Sequence, residues 1–274
     1  MHRSLFSSIA VAVMMLLPPG ASAQDQFTVT TCPGGEKVPI PFEIDCSHLK
    51  DPQSKAHCEP FIINQACKLY PAYRKITNVV LEKWCKNVKY TIYEPDNWPK
   101  QDSEAGAGGM TRSCSVDYKA KYSVDSYFRI AGTPYDTHEI LHVYQMGIGG
   151  IGSLQYIHSL FGPSQVEAMK LIGDATSFKK WTTILQEEVN AFETTYQKQQ
   201  SKPATDRCIL AQGHIEASLY LEDNNNVYEM WRKLGPPHPK PTVADRLARF
   251  NRMYDAVSGS KERQFLLAHG CPPY

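Results

Sequence analysis

The chain is 274 residues long and carries 29 basic against 28 acidic side chains, a formal net charge of +1. That balance excludes the broad positive footprint that nucleic acid or an anionic membrane surface requires. The length is enough for one sizeable hydrophobic core or two modest ones.

Residues 1–23 read as an export signal. His2 and Arg3 precede an apolar run from Leu5 to Leu17, and Pro18-Pro19-Gly20 then leads to Ala21-Ser22-Ala23, small residues at signal-peptidase spacing. The apolar run is too short to span a bilayer, no basic stop-transfer cluster follows it, and no later segment is long and apolar enough to span. The expectation is an exported chain, extracellular or periplasmic, starting near Gln24. Its eight cysteines (Cys32, Cys46, Cys58, Cys67, Cys85, Cys114, Cys208 and Cys271) all lie beyond the signal. An even number in an exported chain implies disulfides, although roughly a hundred pairings are open. Most fall before residue 115, which implies a stapled N-terminal half, with a Cys208–Cys271 clasp expected at the other end. The absence of any CxxC pair argues against a thiolate zinc site or a thioredoxin-like redox site.

Residues 24–60 are rich in Pro, Gly, Cys and polar side chains, and read as a Cys-rich extension or a pro-segment ahead of a main domain at 61–274. From 61 to 86 the apolar residues Ile62, Ala66, Leu69, Tyr73, Ile76, Val80 and Trp84 recur at helical spacing. Pro71 should kink or divide that helix. The β-forming alternation at 88–94 predicts a strand, ended by Glu94-Pro95. A long loop through Gly106-Ala107-Gly108-Gly109 follows, and alternation returns in a second strand at 122–131. A helix then begins at Pro134 or Tyr135 and runs to Met146, where Gly147, Gly149, Gly150 and Gly152 break it. Short helices are expected at 154–160 and 164–173, the second capped by Ser164. A longer one runs from a Thr176 or Ser177 cap to Gln199, with Phe178, Trp181, Leu185, Val189, Phe192 and Tyr196 as its apolar stripe. Further helices are expected at 208–222, 226–234 and 242–257, with 235–241 as an extended linker. There is no internal repeat.

The helix at 134–146 carries His138-Glu139-Ile140-Leu141-His142. A four-residue spacing puts both imidazoles on one helix face, where both can reach a single metal ion. Glu139 lies about 100° round the helix, beside such an ion rather than on it. Two neutral imidazoles with an adjacent carboxylate base are what a hydrolytic zinc requires. Chance alone produces HExxH in roughly one or two chains in a hundred of this composition. Here the motif sits in an apolar helix (Ile140, Leu141, Val143, Tyr144), after an alternating strand, in an exported chain. Buried histidines and a glutamate would be a costly way to make a plain core. The glycines at 147–152 follow a helix and lack a Lys-Ser/Thr, so they do not form a phosphate loop.

Over Thr137-His138-Glu139-Ile140-Leu141-His142-Val143-Tyr144-Gln145 the chain resembles the zincin metallopeptidases, and more closely their gluzincin branch. The order helix, strand, loop, strand, active helix over 61–146 resembles their N-terminal subdomain, so the resemblance covers about half the chain. It implies an α+β, zincin-like fold: a small mixed sheet and an active-site helix, then a mainly helical C-terminal subdomain, disulfide-stapled. It further implies Zn2+ as cofactor, a protein or peptide substrate, Glu139 as general base, and a strand at 122–131 lining the substrate cleft. The metzincin third histidine is absent, because Gln145 and Ile148 stand in its pattern. A glutamate is implied instead. Glu188, in Glu188-Val189-Asn190-Ala191-Phe192, matches the branch's Glu-x-x-Ala-aromatic helix, so the metal set is His138, His142 and Glu188. Glu167 is the rival, with Glu187, Glu193 and Glu216 also open. An oxyanion donor is sought among Tyr156, His158, Tyr196 and His214, and Asp136 and Asn190 could orient ligands. The function implied is a secreted zinc metallopeptidase. Two alternatives stand beside it: a secreted binding or effector module that keeps the zinc fold without cutting, and a zinc hydrolase of a non-peptide amide.

Overall fold

The structure, a computed structural model, describes residues 29–98, 109–119, 121–123, 126–129, 138–147, 155–234, 243–257 and 261–271. The export signal, the glycines at 149–152 and the linker at 235–241 lie outside them. Among the described residues the fold is mixed α+β and mostly helical, with three small sheets and four disulfides. No described helix is long and apolar enough to cross a membrane.

A hairpin of β1 (Thr30–Thr31) and β2 (Lys37–Val38) opens the described chain. The strand β3 (Phe42–Asp45) follows, then the long helix α1 (Pro52–Thr77). Asp51 caps α1 by accepting the Ser54 N–H at 2.6 Å. Pro52 suits the first turn, where its missing N–H costs nothing. The helix stops at Asn78, whose left-handed backbone (φ 57°) directs its N–H to the Arg74 carbonyl. The helix starts before 61 and ends before Val80 and Trp84, and the domain boundary expected at residue 60 falls inside it. It also runs unbroken through Pro60 and Pro71. An interior proline costs about 3 kcal/mol. Opposing that cost, Cys58, Ile62, Ala66, Leu69, Tyr73 and Ile76 are all buried on one face, and a fully buried large apolar side chain contributes about 1.5–3 kcal/mol. Disulfides from Cys58 to Cys46 and from Cys67 to Cys32 pin the same helix.

The main sheet has the order β3-β4-β6-β5, with β4 at Val88–Tyr93, β5 at Gly109–Arg112 and β6 at Ser115–Lys119. β3, β4 and β6 are parallel, and β5 runs antiparallel to β6 at the edge. Part of the expected extension is thus an edge strand of this sheet. The β5–β6 hairpin lies between the loop expected through Gly109 and the strand expected at 122, where short strands hide the alternation. Its turn is made at Ser113 (φ 56°) and held by the Cys85–Cys114 bridge. In place of the single strand expected at 122–131, the chain forms an antiparallel pair of β7 (Lys121–Ser123) and β8 (Ser126–Arg129).

The motif helix α2 (Glu139–Gly147) follows; the start expected at 134 or 135 lies outside the described residues. The two short helices expected next are one, α3 (Gln155–Leu171), continuous through Pro163. Ser164 is no cap. It is fully buried, donates to the Leu160 carbonyl at 2.7 Å and accepts the Trp231 indole N–H at 2.8 Å. Asp174, not Thr176 or Ser177, caps α4 (Ala175–Asn190) by accepting the Ser177 N–H at 2.9 Å. The chain breaks at Ala191 before α5 (Phe192–Lys198). Then come α6 (Ala204–Glu222), α7 (Asn226–Leu234) and α8 (Val243–Val257), close to expectation, and α9 (Lys261–Ala268), which the pattern missed.

The expected Cys208–Cys271 clasp is formed, tying α6 to the residues after α9 across 63 positions. Closing a loop of that length is worth about 4 kcal/mol in the chain-entropy picture. A Cys208→Ser/Cys271→Ser variant should therefore lose stability of that order in denaturant unfolding, and on the order of 10 °C in Tm. A loss below about 1 kcal/mol would show that the clasp does not constrain the unfolded chain.

Candidate metal centre

The apolar face of α2 fixes its rotation. Ile140, Leu141, Val143 and Tyr144 are all buried, and the Tyr144 hydroxyl donates to the Tyr70 carbonyl of α1 at 2.8 Å. His138, Glu139 and His142 are thereby directed elsewhere. His138 stands immediately before the first helical residue, and its carbonyl accepts the Leu141 and His142 N–H groups at 3.0 and 3.3 Å. The helical register thus already includes it, and the two imidazole centroids lie 5.0 Å apart at 81°. Two imidazoles on one tetrahedral ion, with metal–nitrogen bonds of about 2.1 Å, set their ring centres about 5 Å apart. The observed separation matches that value.

His142 is further oriented. Its Nδ1 lies 2.7 Å from Gln145 Oε1 inside a buried pair. An amide oxygen only accepts, so Nδ1 carries the proton and Nε2 keeps its lone pair, the state a metal ligand needs. Phe161 of α3 is buried against both rings, at 5.0 Å from His138 and 4.6 Å from His142. It restricts both imidazoles and keeps water from one side of them.

Glu139 is half-buried beneath the edge strand. The Thr111 hydroxyl lies 2.8 Å from its Oε2 and 2.9 Å from its backbone carbonyl. Gly109 lets β5 approach this closely, since a Cβ there would stand 2.7 Å from Glu139 Cγ and 2.8 Å from the Tyr118 ring. Burial pushes the Glu139 carboxyl above its ordinary range, and the Thr111 hydrogen bond opposes that rise. The strand beside the base is thus β5, not the segment at 122–131. The sequence signal was Gly109 two residues before a threonine, within a stretch read as loop.

The other expected residues are not gathered here. Glu188 is exposed on α4 and lines a cavity with His214, Phe192 and Leu210, which neither histidine borders. Among the described residues no three of His, Cys, Asp and Glu are placed to hold an ion, so the set His138, His142 and Glu188 is not assembled. Glu167 is buried but engaged, accepting from Tyr228 at 2.6 Å and Tyr220 at 3.0 Å and paired with Lys170 at 3.4 Å. Glu187 is exposed. Glu193 pairs with His269 at 3.6 Å, and the buried Glu216 accepts the Tyr254 hydroxyl at 3.1 Å. Tyr196 donates to the His269 carbonyl and His214 stacks on Phe192, both in the C-terminal cluster. Asn190 accepts from Gln186 at 3.1 Å on α4. Asp136 lies outside the described residues, as do the side chains of Tyr156 and His158.

No family model matches the chain, and no curated protein or solved structure matches it.

The Thr111 contact stabilises the charged form of Glu139, so removing it leaves burial unopposed. In Thr111→Val the Glu139 carboxyl should titrate at higher pH than in the parent, read by carboxyl 13C chemical shift on metal-free protein. An unchanged or lower midpoint would mean that Thr111 does not bond the carboxylate in solution.

Proposed function

We propose that this chain is an exported zinc-dependent peptidase of zincin, gluzincin-like type. The observation that carries the reading is the pair His138 and His142, with ring centres 5.0 Å apart on one helix end and Nδ1 of His142 held by Gln145, beside the half-buried Glu139. His138 and His142 would hold the ion. When bound there, zinc supplies Lewis acidity and makes water a nucleophile near neutral pH. Glu139 takes a proton from the attacking water and later delivers it to the leaving amine, the work of a general base that becomes a general acid. Its partial burial beside Thr111 holds the carboxylate in one place. β5 is an edge strand in the described sheet, and an extended peptide laid along it would bring a backbone carbonyl past Glu139. Phe161 closes the side of the histidines that faces α3.

A second reading is favoured by one observation. Hydrolytic zinc sites have three protein ligands, and Glu188 stands on another cavity. A secreted module that keeps the zinc fold, binds through this surface and cuts nothing fits that placement.

One set of measurements separates the two. The parent should bind about one equivalent of zinc, weakened at least a hundredfold in His142→Ala and unchanged in Glu188→Gln. On a library of peptide substrates, Glu139→Gln should retain zinc and lose about 10²–10⁴-fold in rate. Zinc binding without turnover of any peptide selects the binding module. A Glu139→Gln variant as active as the parent removes Glu139 from the mechanism, and a parent that takes up no zinc removes both readings.

A further inference from the structure

Away from the two histidines, α3, α4, α5 and α6 enclose a cavity of about 390 Å³. Such a volume lies in the range of small-molecule sites, about 300–1,000 Å³. Gly162 and Gly213 leave space where side chains would otherwise fill it. Pro163, Leu185, Val189, Phe192, Ile209, Leu210 and Ala217 make the rest largely apolar.

Three polar groups border the cavity: Glu188, Thr195 and His214. Among the described residues Glu188 has neither an ion pair nor a side-chain hydrogen bond, and partial burial pushes its carboxyl above the ordinary range. His214 does not neutralise it. The ring is stacked on Phe192 at 4.2 Å and on Phe265 at 5.3 Å. Its Nδ1 is buried without a hydrogen-bond partner among the described residues. Burial also holds the imidazole below its ordinary pKa, hence uncharged at neutral pH. Glu193, which is not part of the lining, acts on His214 by its charge and pairs with His269. The cavity therefore joins an apolar interior to an uncompensated carboxylate at its edge.

We propose that this cavity binds a small organic cation, an apolar body bearing a protonated amine that pairs with Glu188. The apolar walls hold the body, and the carboxylate at the rim selects the charge. An anion of the same shape meets repulsion from Glu188 and finds no cation among the lining residues. A neutral alcohol gains the walls alone. The site is independent of metal at His138 and His142, although Gly162 and Pro163 follow Phe161 directly on α3.

Titration of the exported chain with butylamine, hexylamine, hexanol and hexanoate, followed by NMR shifts of His214 and Thr195, tests this. Hexylamine should saturate, and should bind about 16-fold more tightly than butylamine, since each buried methylene contributes about fourfold. Hexanol should bind at least tenfold more weakly than hexylamine, and hexanoate should not saturate. Glu188→Gln, a surface change on α4, should bring hexylamine down to the affinity of hexanol. Ala217→Leu, verified as folded by circular dichroism, should block all binding. Hexanoate binding as tightly as hexylamine, equal hexylamine affinity in Glu188→Gln, or no saturable shift with hexylamine would each overturn the proposal. The same titration of Glu139→Gln should match the parent.

Discussion

The Trp231 indole N–H donates to Ser164 Oγ at 2.8 Å, and the hydroxyls of Tyr220 and Tyr228 converge on Glu167. These two buried ties fix α3 against α6 and α7. Apolar packing alone lets a helix rotate or slide at modest cost. A buried carboxylate with two phenol donors does not, because each broken bond leaves a desolvated polar group costing about 1–3 kcal/mol. Helix α3 carries Phe161 to the histidines, and Gly162 and Pro163 to the cavity beside Glu188. The position of one helix therefore sets the wall of both candidate sites. Glu167 does structural work here, and through Phe161 the proposed metal centre depends on it indirectly.

The second constraint is the closeness of β5 to Glu139. A carboxylate placed under an edge strand loses hydration, and Thr111 returns one hydrogen bond to it. Only glycine at 109 permits that approach. The strand is placed in turn by its hairpin with β6, whose turn the Cys85–Cys114 bridge anchors. A disulfide far from the motif in sequence thus contributes to the environment of the proposed base.

The N-terminal half shows how covalent links alter what local propensity permits. Two prolines inside α1 ought to divide it, and neither does. The buried stripe from Cys58 to Ile76 and the bridges at Cys58 and Cys67 hold the helix where propensity alone would not. The bridges join the helix to Cys32 and Cys46 outside it, so their effect on the helix is tertiary.

The residue pattern by itself determined the elements whose information is local. The i, i+4 histidines of α2, the strand at 88–94, the extents of α7 and α8, and an even cysteine count implying disulfides were all legible. Each depends on periodicity, spacing or composition within a short window. Tertiary structure alone decided the rest. It joined two short helices into α3, because Ser164 found Trp231 distant in the chain. It built the β5–β6 hairpin where the pattern shows no strand, because pairing and not alternation makes so short a strand. It took Glu188 away from the histidines and set it at the edge of another cavity. A helix pattern states which residues share a face, but the neighbour that face meets is set by how all the helices pack together. For that reason the shared helix end of His138, Glu139 and His142 could be read from the chain, while the groups surrounding them could not.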